Sequence, residues 1–426
     1  MKHIEVLGIE INRVKITDLL FNKTMLIAYL LLSFGLYGCY EVILERYFFL
    51  TANAFDAGLA PGSREVAYAM KEAIFGLGGE VNRESPWTMY ISNYMYMIYS
   101  GSGIIFFVAL AEILNIKIIQ KTAAGFMTIG LAMIFGGLFT IVMDLNILHI
   151  QYMFLTPNLK AGMWLMLPLY SIYIPFVMFE IYLLITKNQK WAKKMAFGIL
   201  LLSIAIDITE YYIQAKLFDM NAARHLWTTY PNLTLYFIVS SFVASLGIML
   251  IYSFIEYKDS LKQEFNSLIL LLTKSALICI ILLAGYEATA FLFIDQKWGS
   301  LILFGDFKYD FYIYVLLAIV FPFGLLLFTL FKRNLINIIT ILASFCIIVG
   351  TYIGRLIFVY GGNAYPMSDR FGTGFEKYRE YELVKEFIYF SLSLNEVFII
   401  VGSVGVVLLV YKVLDSFFSV SKIREH

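Results

Sequence analysis

The chain has 426 residues, of which 60% are hydrophobic and 15% charged, and its mean hydropathy is +0.78. A soluble domain carries roughly 45–50% apolar and about 25% charged residues, so a water-solvated core is excluded and lipid must be the solvent. The net charge of +1 leaves no electrostatic basis for holding nucleic acid.

A helix needs about 20 apolar residues to cross the hydrocarbon core. Runs of that kind lie near 25–44, 88–112, 123–144, 162–186, 195–217, 230–254, 268–294, 311–331, 335–360 and 386–413. The expected fold is therefore all-α: a polytopic integral membrane protein with about ten spanning helices in one transmembrane domain, 1–426. Helices two to five and six to nine are expected to form two four-helix bundles, with the first and last helices flanking them.

The first run is followed by Ala52-Asn53-Ala54, an A-x-A pattern that resembles a signal-peptidase site. Met25 to Leu44 gives about 20 apolar residues, against roughly 7–15 for a signal peptide's core, so an uncleaved helix is expected. Trp87, Trp164, Trp191, Trp227 and Trp298 all fall at or just outside run ends, as an interfacial belt would place them. Between runs one and two, Arg64 to Leu77 reads as a short amphipathic helix.

Lys and Arg in short loops set orientation. Lys187, Lys190, Lys193 and Lys194 share one loop, and Lys2, Arg13, Lys15, Lys23, Lys117, Lys121, Lys258, Lys262, Lys332 and Arg333 fall on the same side. Both termini are thus expected on the cytoplasmic side of the cell membrane. The longer connections 45–87, 145–161, 218–229, 295–310 and 361–385 then lie outside, where their length on one face suggests a docking surface rather than simple connection.

Cys39, Cys279 and Cys346 lie singly in apolar runs, and His3, His149, His225 and His426 avoid run centres. A metal site, an iron–sulfur cluster or a bis-histidine haem held by this chain is not expected. Ionisable residues in a membrane are costly, about 2.5–3.5 kcal/mol each at a helix centre, and mark function by default. Asp144, Asp207, Glu210, Glu287, Arg355 and Glu396 all fall in the outer half of the expected topology, as one outward-facing polar pocket would require. Glu112 and Glu180 fall near inner helix ends and read as interfacial.

Four stretches resemble the NrfD/PsrC-like family, the membrane subunits of polysulfide reductase-type complexes. Pro86 to Gly103, reading PWTMYISNYMYMIYSGSG, is similar to that family's P-W-G-L-Y-I-x-N-Y-x-Y stretch in helix two. Gly137-Leu138-Phe139 through Asp144-Leu145-Asn146 looks like the end of its third helix, and Pro157, Asn158, Gly162 and Trp164 follow as they do there. Gly350 to Arg355 is similar to its G-x-W-x-x-R, and Ser393-Leu394-Asn395-Glu396 resembles the P-S-x-x-E that opens its last helix. The ten-helix count resembles the longer branch, which includes hydrogenase-2 and alternative complex III membrane subunits.

The resemblance implies a quinone (menaquinone or related) as exchangeable substrate, with no haem or iron–sulfur cluster in this chain. It implies a ferredoxin-like iron–sulfur subunit docked outside and a molybdopterin or other catalytic subunit beyond it. Asp144 and Asp207 would exchange quinol protons, and Arg355 would balance their charge or bond a quinone carbonyl. Tyr90, Asn93, Tyr94, Ser102, Glu287 and Glu396 would line the quinone site. The chain departs from the pattern where many relatives have His, at Ser102 and Asp207, and lacks the Arg and Pro of D-L-G-R-P after Asp144. The proton acceptor therefore lies open among Asp144, Asp207 and Glu287. Two other classes fit the same composition: a secondary transporter or channel, and a structural anchor with an inactive quinone site.

Overall fold

The computed structural model describes residues 3–6, 9–12, 16–56, 89–144, 152–155, 157–158, 162–186, 189–220, 226–227, 231–293, 302–305, 307–331, 336–364 and 394–423. Among them are ten helices long and apolar enough to cross a membrane. They are α1 (Lys23–Asp56), α2 (Met89–Ile113), α3 (Lys117–Asp144), α4 (Gly162–Ile185), α5 (Gln189–Asp219), α6 (Leu233–Leu261), α7 (Phe265–Phe293), α8 (Lys308–Phe331), α9 (Ile336–Ala364) and α10 (Leu394–Phe418). The all-α, multi-pass membrane architecture is thus as the apolar runs require. Without water in the hydrocarbon, a helix is the way for an open chain segment to satisfy its own backbone.

Contacts close into two rings. α2 packs on α3, α3 on α4, α4 on α5, and α5 back on α2; α6, α7, α8 and α9 close in the same manner. α2 joins the rings by also packing on α6 and α9, and α1 with α10 forms a pair laid against α3. α2 can occupy this centre because Ser100, Gly101, Ser102 and Gly103 make one slim stretch in it. Gly101 faces the Gly130 backbone of α3, and Gly103 faces Ser241 and Ser245 of α6, so a Cβ at either site would collide. Close backbone approach at glycine and serine is the main packing device available where lipid removes the hydrophobic drive between helices. The same device joins α1 to α10 through Gly35 and Gly402.

Three features differ from the sequence expectation. A hairpin of two antiparallel strands, β1 (His3–Val6) and β2 (Ile9–Asn12), precedes the helices. The Asn12 amide donates to Ser416 O at 3.1 Å and Ser419 Oγ at 2.7 Å, which ties the hairpin to the end of α10. Next, α1 continues to Asp56, beyond the expected end near 44. Last, Trp227 is covered by protein, at 2% exposed. Its indole Nε1 donates to Phe358 O at 2.9 Å, and Phe218 and Phe358 pack around the ring. Position at a run end does not reveal such burial, because a tertiary contact covers the ring. Arg64 to Leu77, Trp87 and Trp298 lie outside the described residues.

Candidate functional site: a buried carboxylate file and a caged arginine

Ser203, Asp207, Glu210 and Gln214 recur on α5 at intervals of four, three and four. In a helix that spacing puts them on one face. All four are buried, and the face they share turns into the first ring. Opposite, α4 supplies Tyr170, Tyr173 and Glu180, also on one face, and α2 supplies Tyr94 and Ser102.

The hydrogen bonds radiate from Glu210. Ser102 Oγ donates to its Oε2 at 2.6 Å, and Tyr170 OH donates to its Oε1 at 2.7 Å. Gln214 Nε2 reaches Tyr170 OH at 2.6 Å, Tyr94 OH at 3.3 Å and Glu210 Oε1 at 3.4 Å, and Tyr94 OH donates to Tyr170 OH at 3.3 Å. One turn away, Tyr173 OH donates to Asp207 Oδ1 at 2.5 Å. A further turn away, Ser203 Oγ donates to Glu180 Oε2 at 3.2 Å. Asp207 Oδ2 and Glu180 Oε1 are both buried without a hydrogen-bond partner among the described residues. From Ser203 to Gln214 the helix rises about 16 Å, roughly half of a hydrocarbon core about 30 Å thick.

No Lys or Arg bonds to this file among the described residues. Three carboxyl groups in a dry interior without a cation cannot all be ionised together, because unpaired burial of even one charge costs several kcal/mol.

Arg355 lies elsewhere. It is 4% exposed and projects from α9 between the rings of Tyr99, Tyr236 and Phe237, with centroids at 4.9, 5.4 and 5.3 Å from its guanidinium carbon. Its Nη2 donates to Ser240 Oγ at 2.7 Å. The expected partnership with the carboxylates of α5 does not form: no carboxylate lies within the 4.0 Å ion-pair distance of Arg355 among the described residues. Glu287 of α7 is near enough for its charge to be felt, and Tyr314 OH of α8 donates to its Oε1 at 2.8 Å.

The residues expected to share one pocket therefore fall into three places, and α2 separates them. Tyr94 and Ser102 face α4 and α5. Tyr96, Tyr99 and Ser100 face Arg355. Asn93 faces the other way, donating to Ser403 Oγ of α10 at 3.0 Å, while Tyr90 packs with Met143 and Ile399 beside it. Glu396 is buried in the first turn of α10. Asp144 is the last residue of α3, and its side chain lies outside the described residues. Glu180, expected at the interface, is instead 4% exposed and part of the file.

No family model and no curated protein matches the chain. The geometry stands on its own residues. Glu180, Ser203, Gln214, Tyr170 and Tyr173 were not singled out from sequence as site residues. The signal was present in α5, where four polar residues share one helical face inside an apolar run.

Proposed function

We propose that this chain is the quinone-reactive membrane subunit of a respiratory oxidoreductase, with the α2–α4–α5 file serving the protons of quinol. The observation that carries the reading is the connected, fully buried group centred on Glu210, with Ser102, Tyr170, Gln214 and Tyr94 around it. Quinol oxidation releases two protons and two electrons. An ionised carboxylate in such a group takes a proton and becomes neutral, and the hydroxyls beside it pass protons by short rotations. Asp207 and Glu210 are the acceptors in this reading. A water between the unpartnered oxygens of Asp207 and Glu180 would extend the path toward the far end of α4.

The electron half, the quinone itself, the iron–sulfur partner and the molybdopterin or other catalytic subunit rest on the resemblance of Pro86 to Gly103, Gly350 to Arg355 and Ser393 to Glu396 to the NrfD/PsrC-like pattern. The cytoplasmic placement of both termini rests on the Lys-rich loops. Asn93, Tyr90 and Glu396 support the α2–α3–α10 contact in this reading rather than touching the same quinone as Tyr94.

A second reading has one observation in its favour. Pro168 and Pro175 lie inside the continuous helix α4, which carries Glu180, Tyr170 and Tyr173, and Pro-containing spanning helices near buried carboxyls also occur in proton-coupled transporters. The two readings separate on purification and turnover. The subunit reading expects an iron–sulfur protein to copurify and its clusters to be reduced by quinol. Asp207→Asn and Glu210→Gln complexes should assemble yet reduce those clusters at least about tenfold more slowly, the range for loss of one general base. Full rates in both would remove the file from the chemistry, and a chain that purifies alone and moves solute would establish the transporter.

A further inference from the structure

The face of α7 that the bundle leaves uncovered carries a charge. Lys274 lies nine residues in from Phe265, where this span begins, and no other described Lys or Arg lies so far from the nearer end of a span. Unlike the buried Arg355, its side chain is exposed, and it makes no hydrogen bond or ion pair among the described residues. The one carboxyl in α7, Glu287, is buried and bonds Tyr314 on the inner side. A cation on the outside of a spanning helix is costly unless something anionic meets it.

The surroundings of Lys274 are ordered along the helix. Ser267, Lys274, Ile278, Ile281 and Gly285 recur at intervals of seven, four, three and four, which gathers them on one exposed stripe. Its apolar part is Ile278 and Ile281 with Leu282 beside them, at 60, 56 and 54% exposed. At Gly285 the stripe opens, since nothing lies within 4 Å of where a Cβ would stand. The 28 residues of the span rise about 42 Å, the thickness of a bilayer with its headgroups. Lys274 then starts about 14 Å from the end, roughly 8 Å inside the hydrocarbon. A helical side chain leans toward the helix N-terminus, which here is the nearer headgroup layer. A lysine stem lies along apolar surface while its ammonium reaches polar ground.

We propose that this stripe of α7 holds one anionic phospholipid of the leaflet that meets the α6–α7 turn. Its phosphate sits at Lys274 and Ser267, and an acyl chain runs down Ile278, Ile281 and Leu282 to the open space at Gly285. The order of the stripe matches an amphiphile: a cation and a hydroxyl at the headgroup end, then an uninterrupted apolar surface. An anionic headgroup brings the counter-charge that the chain itself does not supply on this face, and anionic lipid is attracted to basic residues near the membrane surface. The site goes beyond the quinone reading and shares no residue with the Glu210 group or with the surroundings of Arg355.

The test uses the full chain in nanodiscs of phosphatidylglycerol and phosphatidylcholine in equal parts. Native mass spectrometry of the released protein counts the lipids that stay bound. One phosphatidylglycerol retained in preference to phosphatidylcholine is expected. Lys274→Gln should weaken its retention by at least about tenfold, and Lys274→Arg should keep it. Lys258→Gln removes an exposed charge near the same headgroups and controls for general attraction. Unchanged retention in Lys274→Gln overturns the proposal, and so does an equal loss in Lys258→Gln. A carboxyl-to-amine crosslink in native membranes that joins Lys274 to another protein chain would also overturn it, because the stripe would then face a subunit and not a lipid.

Discussion

Replacing Glu210 by alanine tests whether the buried group is held together as the distances indicate. Glu210 accepts from Ser102 at 2.6 Å, Tyr170 at 2.7 Å and Gln214 at 3.4 Å, with every partner buried. Interhelical hydrogen bonds in membranes average about 0.6 kcal/mol in double-mutant cycles, so losing the two from Ser102 and Tyr170 gives about 1 kcal/mol, the Gln214 contact lying within α5. The ceiling is higher, because each buried hydroxyl left without an acceptor costs about 1–3 kcal/mol. Tyr170 and Gln214 keep each other as partners, which favours the lower figure. Glu210→Gln retains one carbonyl oxygen and should lose about half as much. The assay is reversible unfolding in mixed detergent micelles, with Ile208→Ala as a lipid-facing control on the same helix. A shift for Glu210→Ala no larger than the control would refute the reasoning. So would strict additivity of Glu210→Gln with Tyr170→Phe, since contacting partners should couple by at least about 0.5 kcal/mol.

Two further outcomes follow from packing. Gly402→Leu drives a side chain into the Gly35 backbone and should part α1 from α10. It should lower unfolding stability by about 1–3 kcal/mol, as overpacking does, while the Glu210 group beyond α3 keeps its coupling energies; an unchanged unfolding midpoint would show that the two helices do not meet there. Trp227→Phe keeps most of the ring volume but removes the donor to Phe358 O. It should cost about 1 kcal/mol, and Trp227→Ala about 3–5 kcal/mol; equal losses for the two would show that the ring packing is not what matters.

The class of fold and the number of crossings follow from composition and from apolar runs about one bilayer long, because lipid leaves so few ways to satisfy a backbone. That much was legible without coordinates, and so was the shortlist of buried charges, since an ionisable residue in an apolar run is conspicuous by its cost alone. Grouping those charges was not legible. Arg355 and Asp207 both sit in the half of the membrane expected to be outer, and sequence position gives depth along a helix. It does not give the direction a side chain faces around the bundle. Only the tertiary structure shows α2 lying between them, with Ser102 turned to Glu210 and Tyr99 turned to Arg355. Glu180 was misjudged for the related reason that nearness to a helix end does not imply nearness to water once another helix covers it. Sequence thus determined the solvent, the helices and which residues are expensive. Packing decided which of them gather in one hydrogen-bonded file and which stand apart, because that depends on rotation about each helix axis, and that rotation is set by where the glycines and serines of α2 let its neighbours come close.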